Sequence, residues 1–109
     1  MNAAELHVVE QNTFVLTGEL TFSSVPNLWR KSKRLFTKIA PPAKEIVVDL
    51  DKVTRTDSAG LALMIELLCL VNNRNMILRF RNIPKQMLSL AKMTDVDFLF
   101  SGDIRRHQS

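Results

Sequence analysis

Thirteen residues from Ala59 to Val71, AGLALMIELLCLV, carry a single charge, Glu66, and constrain the fold more than any other stretch. At 100° per residue, Leu61, Ala62, Leu63, Met64, Ile65, Leu67, Leu68, Cys69, Leu70 and Val71 surround the helix axis instead of lining one side of it. The run is shorter than the roughly 18 residues a membrane span requires, so it must be buried by protein. A sheet can cover one stripe, and neighbouring helices can cover the flanks. Whatever they leave open forms an apolar patch of the kind that marks a binding surface. The expectation is therefore a central helix that is partly uncovered and shared between the core and a partner.

The mouth of this helix, RTDSAGLALM (residues 55–64), carries chemistry of its own. Asp57 or Ser58 can accept a hydrogen bond from the free N–H groups of the first turn. Two capping-competent residues in succession allow Asp57 to cap and Ser58 to keep a free hydroxyl at the lip. Gly60 costs about 1 kcal/mol against alanine inside a helix, which points to close approach by another backbone. A phosphate on Ser58 would meet the positive end of the helix dipole, with Asp57 repelling it.

The other elements follow from periodicity. Leu6–Val9 and Phe14–Thr17 are β-rich runs joined by EQNT as a hairpin, with Gly18 ending the second. A helix starts at Ser23 or Ser24 with Pro26 in its first turn, and Pro41 and Pro42 stop it. Its apolar stripe is Val25, Leu28, Trp29, Leu35, Phe36 and Ile39; Arg30, Lys31, Lys33, Arg34 and Lys38 form the solvated back. Trp29 lies at the margin of that stripe, where a large ring is half exposed and suited to an interface. Glu45–Leu50, with Ile46, Val47 and Val48 in succession, reads as a central strand buried on both faces, followed by a loop, DKVTRT. A helix from about Ser58 to Asn72, a strand at Met76–Arg81 and a third helix with Pro84 in its first turn complete the pattern. A short strand or helical turn and a polar tail end the chain. The order β-β-α-β-α-β-α specifies an α/β fold: a mixed sheet of four or five strands with about three helices and a right-handed crossover between the third and fourth strands.

Composition removes several function classes. A chain of 109 residues is one domain, 1–109. The excess of 15 Lys and Arg over 11 Asp and Glu describes a soluble surface. Nucleic-acid binding is not expected, since no array of stacking aromatics or recognisable module accompanies the basic residues. The single cysteine, Cys69, cannot form an internal disulfide and is expected to be a buried thiol in a reducing compartment. The N-terminus shows no secretory pattern. A hydrolase using Ser58 lacks a positioned base, because the only histidines are His7 in the first strand and His107 in the tail. Two histidines and one cysteine make no metal site, and no phosphate-binding glycine loop is present. No catalytic residue, metal or cofactor is expected.

IVVDL followed by TRTDSAGLALM resembles the signature of STAS domains, the fold of anti-sigma factor antagonists and of the cytoplasmic tails of anion transporters. VLTGELTFSSVPNLW and DSAGLALMIELL are similar to the two regions of the STAS subunits of bacterial Mla phospholipid ABC transporters. The resemblance spans roughly residues 13–95. It implies a non-catalytic cytoplasmic protein, peripheral to the inner membrane through its partner. That partner is the ATPase subunit of a complex with permease and substrate-binding subunits, which maintains outer-membrane lipid asymmetry. Asp57 and Ser58 occupy the Asp-Ser/Thr pair of the signature, Gly60 and Leu61 its Gly-Leu, and Trp29 the tryptophan of the first helix. The partner-binding set expected from the motif and its surroundings is Trp29, Thr56, Asp57, Ser58, Ala59, Gly60, Leu61 and Met64. The alternative is an anti-sigma factor antagonist with Ser58 as phospho-acceptor. Ala59 stands where antagonists commonly carry a second hydroxyl residue, so Ser58 is the only acceptor in the motif.

Overall fold

A computed structural model describes residues 4–39 and 44–100. Strands β1 (Glu5–Glu10) and β2 (Thr13–Leu20) form a hairpin. Its turn places Asn12 at φ 61°, a left-handed conformation that asparagine tolerates better than most residues. Helix α1 (Val25–Phe36), strand β3 (Glu45–Thr56), helix α2 (Ser58–Asn72), strand β4 (Ile77–Arg81), helix α3 (Lys85–Met93) and a 3-10 turn (Asp97–Phe100) follow. The strand order is β1-β2-β3-β4, with β1 antiparallel to β2 and the remaining pairs parallel. The expected mixed α/β sheet is thus realised with four strands and three helices.

All three helices cover one face of this sheet. Register aligns Leu6 with Leu16, Phe14 with Val48, and Ile46 with Leu78, and these side chains join one buried cluster with Leu28, Leu67 and Met87 of the helices. The opposite face holds Thr13, Val15, Val47 and Asp49, each only half-buried, with Arg79 and Arg81 exposed. Strand β3 is therefore not buried on both faces: Ile46, Val48 and Leu50 point into the core while Val47 and Asp49 point away. Burial of each large apolar side chain contributes about 1.5–3 kcal/mol, so this single layer of contacts dominates the stability. Phe36 packs on Phe14 at 4.8 Å between ring centroids and ties α1 to the hairpin. Phe100 meets Phe80 edge-on at 5.3 Å and closes the other end of the sheet.

Three boundaries differ from sequence expectation. Strand β2 does not stop at Gly18, which adopts φ 88°; the register shifts between Gly18 and Glu19 and pairing resumes to Leu20. DKVTRT is strand, not loop, because β2 pairs with it: Thr17 with Lys52, Glu19 with Arg55, Leu20 with Thr56. Helix α1 ends at Phe36, ahead of the prolines, with Thr37 Oγ1 donating to the Lys33 carbonyl at 2.8 Å. Pro41, Pro42 and the tail from Ser101 lie outside the described residues.

Candidate functional site

The extension of β3 sets the mouth of α2 in place. Leu20 and Thr56 end their strands side by side, and the Asp57 N–H donates to the Leu20 carbonyl at 3.0 Å. The Thr56 N–H is held from the other side by Gln86 Oε1 of α3 at 3.0 Å. Asp57 is the N-cap: its carboxylate accepts from the Ala59 N–H at 2.8 Å, and its carbonyl accepts from the Gly60 N–H at 3.0 Å. With Asp57 committed to the cap, Ser58 stands exposed at the lip, as the succession of two capping residues implies.

Gly60 is explained from inside the molecule. A Cβ at this position would overlap Thr56 Oγ1 and come within 2.9 Å of the Leu20 Cβ. The close approach expected of an outside partner is made by the chain's own β2 and β3 ends. Thr56 is also interior, 1% exposed, with its hydroxyl donating to the Asp57 carbonyl at 3.1 Å.

The central helix is better covered than its composition implies. Leu61, Leu63, Met64, Leu67 and Val71 are buried, Ile65, Leu68 and Leu70 are half-buried, and the exposed stripe is Ser58, Ala62, Glu66 and Cys69. No large apolar residue of α2 is exposed, because α1 and α3 pack on its two flanks. Of the eight expected contact residues, Thr56, Ala59, Gly60, Leu61 and Met64 face inward and cannot meet a partner directly in this conformation. Asp57 is half-buried and Ser58 alone is fully accessible; Trp29 is half-buried, packed on the core, with the Lys33 ammonium 5.8 Å from its ring centroid. Cys69 is exposed, contrary to the buried thiol expected, because position 69 falls on the stripe that starts at Ser58.

Two accessible neighbours were not singled out by sequence. Phe22 is 77% exposed in the loop that starts directly after Leu20, beside the α2 mouth. Its signal was a lone aromatic in a serine-flanked turn, TFSS. Ala62 lies one turn after Ser58 and continues the small, flat surface. The accessible side chains in this part of the chain are thus Ser58 and Ala62 on α2 and Phe22 before α1, with Trp29 half exposed on α1. His7, meanwhile, pairs with Glu5 at 3.0 Å on the sheet face opposite the helices, so it is no base for Ser58.

This two-layer architecture is shared with solved structures, STAS neighbours among them. The anti-sigma factor antagonist SpoIIAA in its unphosphorylated form aligns with a TM-score of 0.63 at 18% identity, covering 84% of this chain and 83% of that one. A sulfate transporter family protein from Wolinella succinogenes aligns with the same TM-score at 15% identity, covering 84% and 74% of the two chains. A structure of Mglu aligns at 20% identity and a TM-score of 0.54 over 76% of this chain, which spans only 19% of that protein. No curated protein matches the sequence. At such identities these structures define the fold class. The chain belongs to the family described as "Mlab, STAS domain", whose pattern it matches over residues 7–101. STAS domains mediate protein–protein interactions, and no helix among the described residues is long and apolar enough to cross a membrane.

Proposed function

We propose that the chain is a non-catalytic, cytoplasmic subunit that binds and regulates or stabilises the ATPase of a phospholipid-transporting ABC complex maintaining outer-membrane lipid asymmetry. The family match over residues 7–101 is the observation that carries this function. The geometry supports a specific division of labour. Thr56, Asp57 and Gly60 build a rigid platform at the ends of β2 and β3, while Ser58 and Ala62 present a flat lip on which another protein can sit without displacing bulk. Trp29, half-buried and backed by the core, has the character of an interface anchor on α1.

Purification of the tagged chain from its native cells should bring down an ABC ATPase and its permease. Ser58→Arg should weaken retention of the ATPase by about tenfold or more while leaving the unfolding midpoint almost unchanged, since the side chain is solvent-exposed. Recovery without any ATPase would sink the proposal.

A second function, a phospho-regulated antagonist of an anti-sigma kinase, draws on the exposure of Ser58 at a helix N-terminus, where a phosphate meets the dipole. Co-purification of a kinase in place of an ATPase would favour it. Unchanged partner binding by Ser58→Asp would remove the switch.

A further inference from the structure

Charge in this molecule is divided between its two layers. Helix α1 carries Arg30, Lys31, Lys33 and Arg34, and α3 carries Lys85 and Lys92; the only acidic side chain in any of the three helices is Glu66. From Leu20 to Lys44 the sequence has six Lys or Arg and no Asp or Glu. Among the described residues no helical Lys or Arg takes part in an ion pair, whereas Arg79 and Arg81 of the sheet lie against Glu45 and Asp49. The concentration on α1 is directional. At 100° per residue, Lys33, Arg30, Arg34 and Lys31 sweep an arc of about 160° centred opposite the buried Leu28, Ser32 and Phe36. Cations in the last turn favour the helix dipole, which accounts for Lys33 and Arg34 but not for Arg30 and Lys31 at mid-helix.

We propose that this outer arc of α1 is a contact surface for an anionic membrane, binding lipid headgroups electrostatically and without insertion. Insertion is ruled out because the apolar stripe of α1 is already spent on the core. Clusters of four to eight Lys or Arg on an amphipathic helix are attracted to anionic headgroups without needing a fixed partner geometry. The arc has that character. Its side chains are exposed apart from half-buried Lys31, and Arg30 is fixed only by a bond to Asn27. A diffuse array of this kind, with no fixed geometry among its cations, suits a plane of negative charge.

The test is flotation of the purified full chain with vesicles of phosphatidylcholine, with and without about one-third phosphatidylglycerol. Binding to the anionic vesicles should exceed binding to the neutral ones by about tenfold or more in dilute salt, and should vanish near about 0.5 M salt. Arg30→Glu combined with Arg34→Glu should lower it about tenfold or more. Lys52→Glu combined with Arg55→Glu makes the same change of net charge on the opposite layer, at exposed positions paired with Thr17 and Glu19, and should leave binding largely intact. Circular dichroism confirms that both variants fold. Equal binding to neutral vesicles, no binding to either kind, or equal loss in the two double variants would overturn the proposal. So would retention on an acidic protein or RNA without vesicle binding. None of these outcomes depends on whether an ABC ATPase is the partner.

Discussion

The open face of the sheet and the outer face of the helical layer are both solvent-exposed, yet they solve their charge problem in opposite ways. On the sheet, Glu45 takes Arg79, Asp49 takes Asn82 at 3.0 Å with Arg81 nearby, and Glu5 takes His7. Asp49 and Arg81 stand directly opposite on neighbouring strands and Glu45 reaches Arg79 diagonally, cross-strand placements in which opposite charges are favourable. Among the described residues the helical face keeps its cations out of ion pairs, and it gathers its small, accessible residues at the mouth of α2. A face that satisfies itself has little to gain from a partner. A face that leaves both charge and a flat lip unsatisfied can gain from two.

The sharpest way to break this contrast is at Gly60, where the helical layer meets the strand ends. Gly60→Ala places a methyl group against Thr56 Oγ1 and the Leu20 Cβ, with the Leu20 backbone carbonyl at 3.3 Å, at strand ends that cannot easily retreat. Overpacking of that kind typically costs about 1–3 kcal/mol, and Gly60→Trp should cost more and prevent stable folding. Urea denaturation of the alanine variant measures it. A midpoint equal to the parent's would show that the glycine serves an outside partner after all.

Asp57→Ala is the next largest change. It removes the carboxylate that accepts the Ala59 N–H and should cost about 1 kcal/mol of stability, while Asp57→Asn, which keeps an acceptor, should cost only a few tenths. If both variants lose ATPase binding equally with intact stability, Asp57 is a contact residue and not only a cap.

These two positions also show how much the sequence disclosed. The limits of α2, Ser58 to Asn72, were legible because a capping aspartate adjoins an unbroken apolar run, both local signals. The second half of β3 was not, because DKVTRT has no apolar alternation and is extended only through pairing with β2, more than thirty positions away in the chain. The same non-local origin hid the reason for Gly60. It also hid the inward orientation of Leu61 and Met64, which depends on where α1 and α3 settle. Composition correctly required several neighbours around α2; it could not say that they would leave only Ser58, Ala62, Glu66, Cys69 and Asn72 outside.

The smallest expected effect tests the sheet side of the comparison. Arg81 Nη1 lies 3.9 Å from Asp49 Oδ2, with the arginine side chain 56% exposed, so solvent screens the pair. Asp49 does not depend on it: the other carboxylate oxygen accepts from Asn82 Nδ2 at 3.0 Å and from the Asp51 N–H at 2.9 Å. Arg81→Ala should therefore lower stability by less than about 0.5 kcal/mol, with little response to added salt. A salt-sensitive loss above about 1 kcal/mol would show that the sheet face leans on its longest ion pair. In that case the two faces would differ in the sign of their charge more than in how well they satisfy it, and the case for the helical layer as the side that seeks partners would rest on the α2 lip alone.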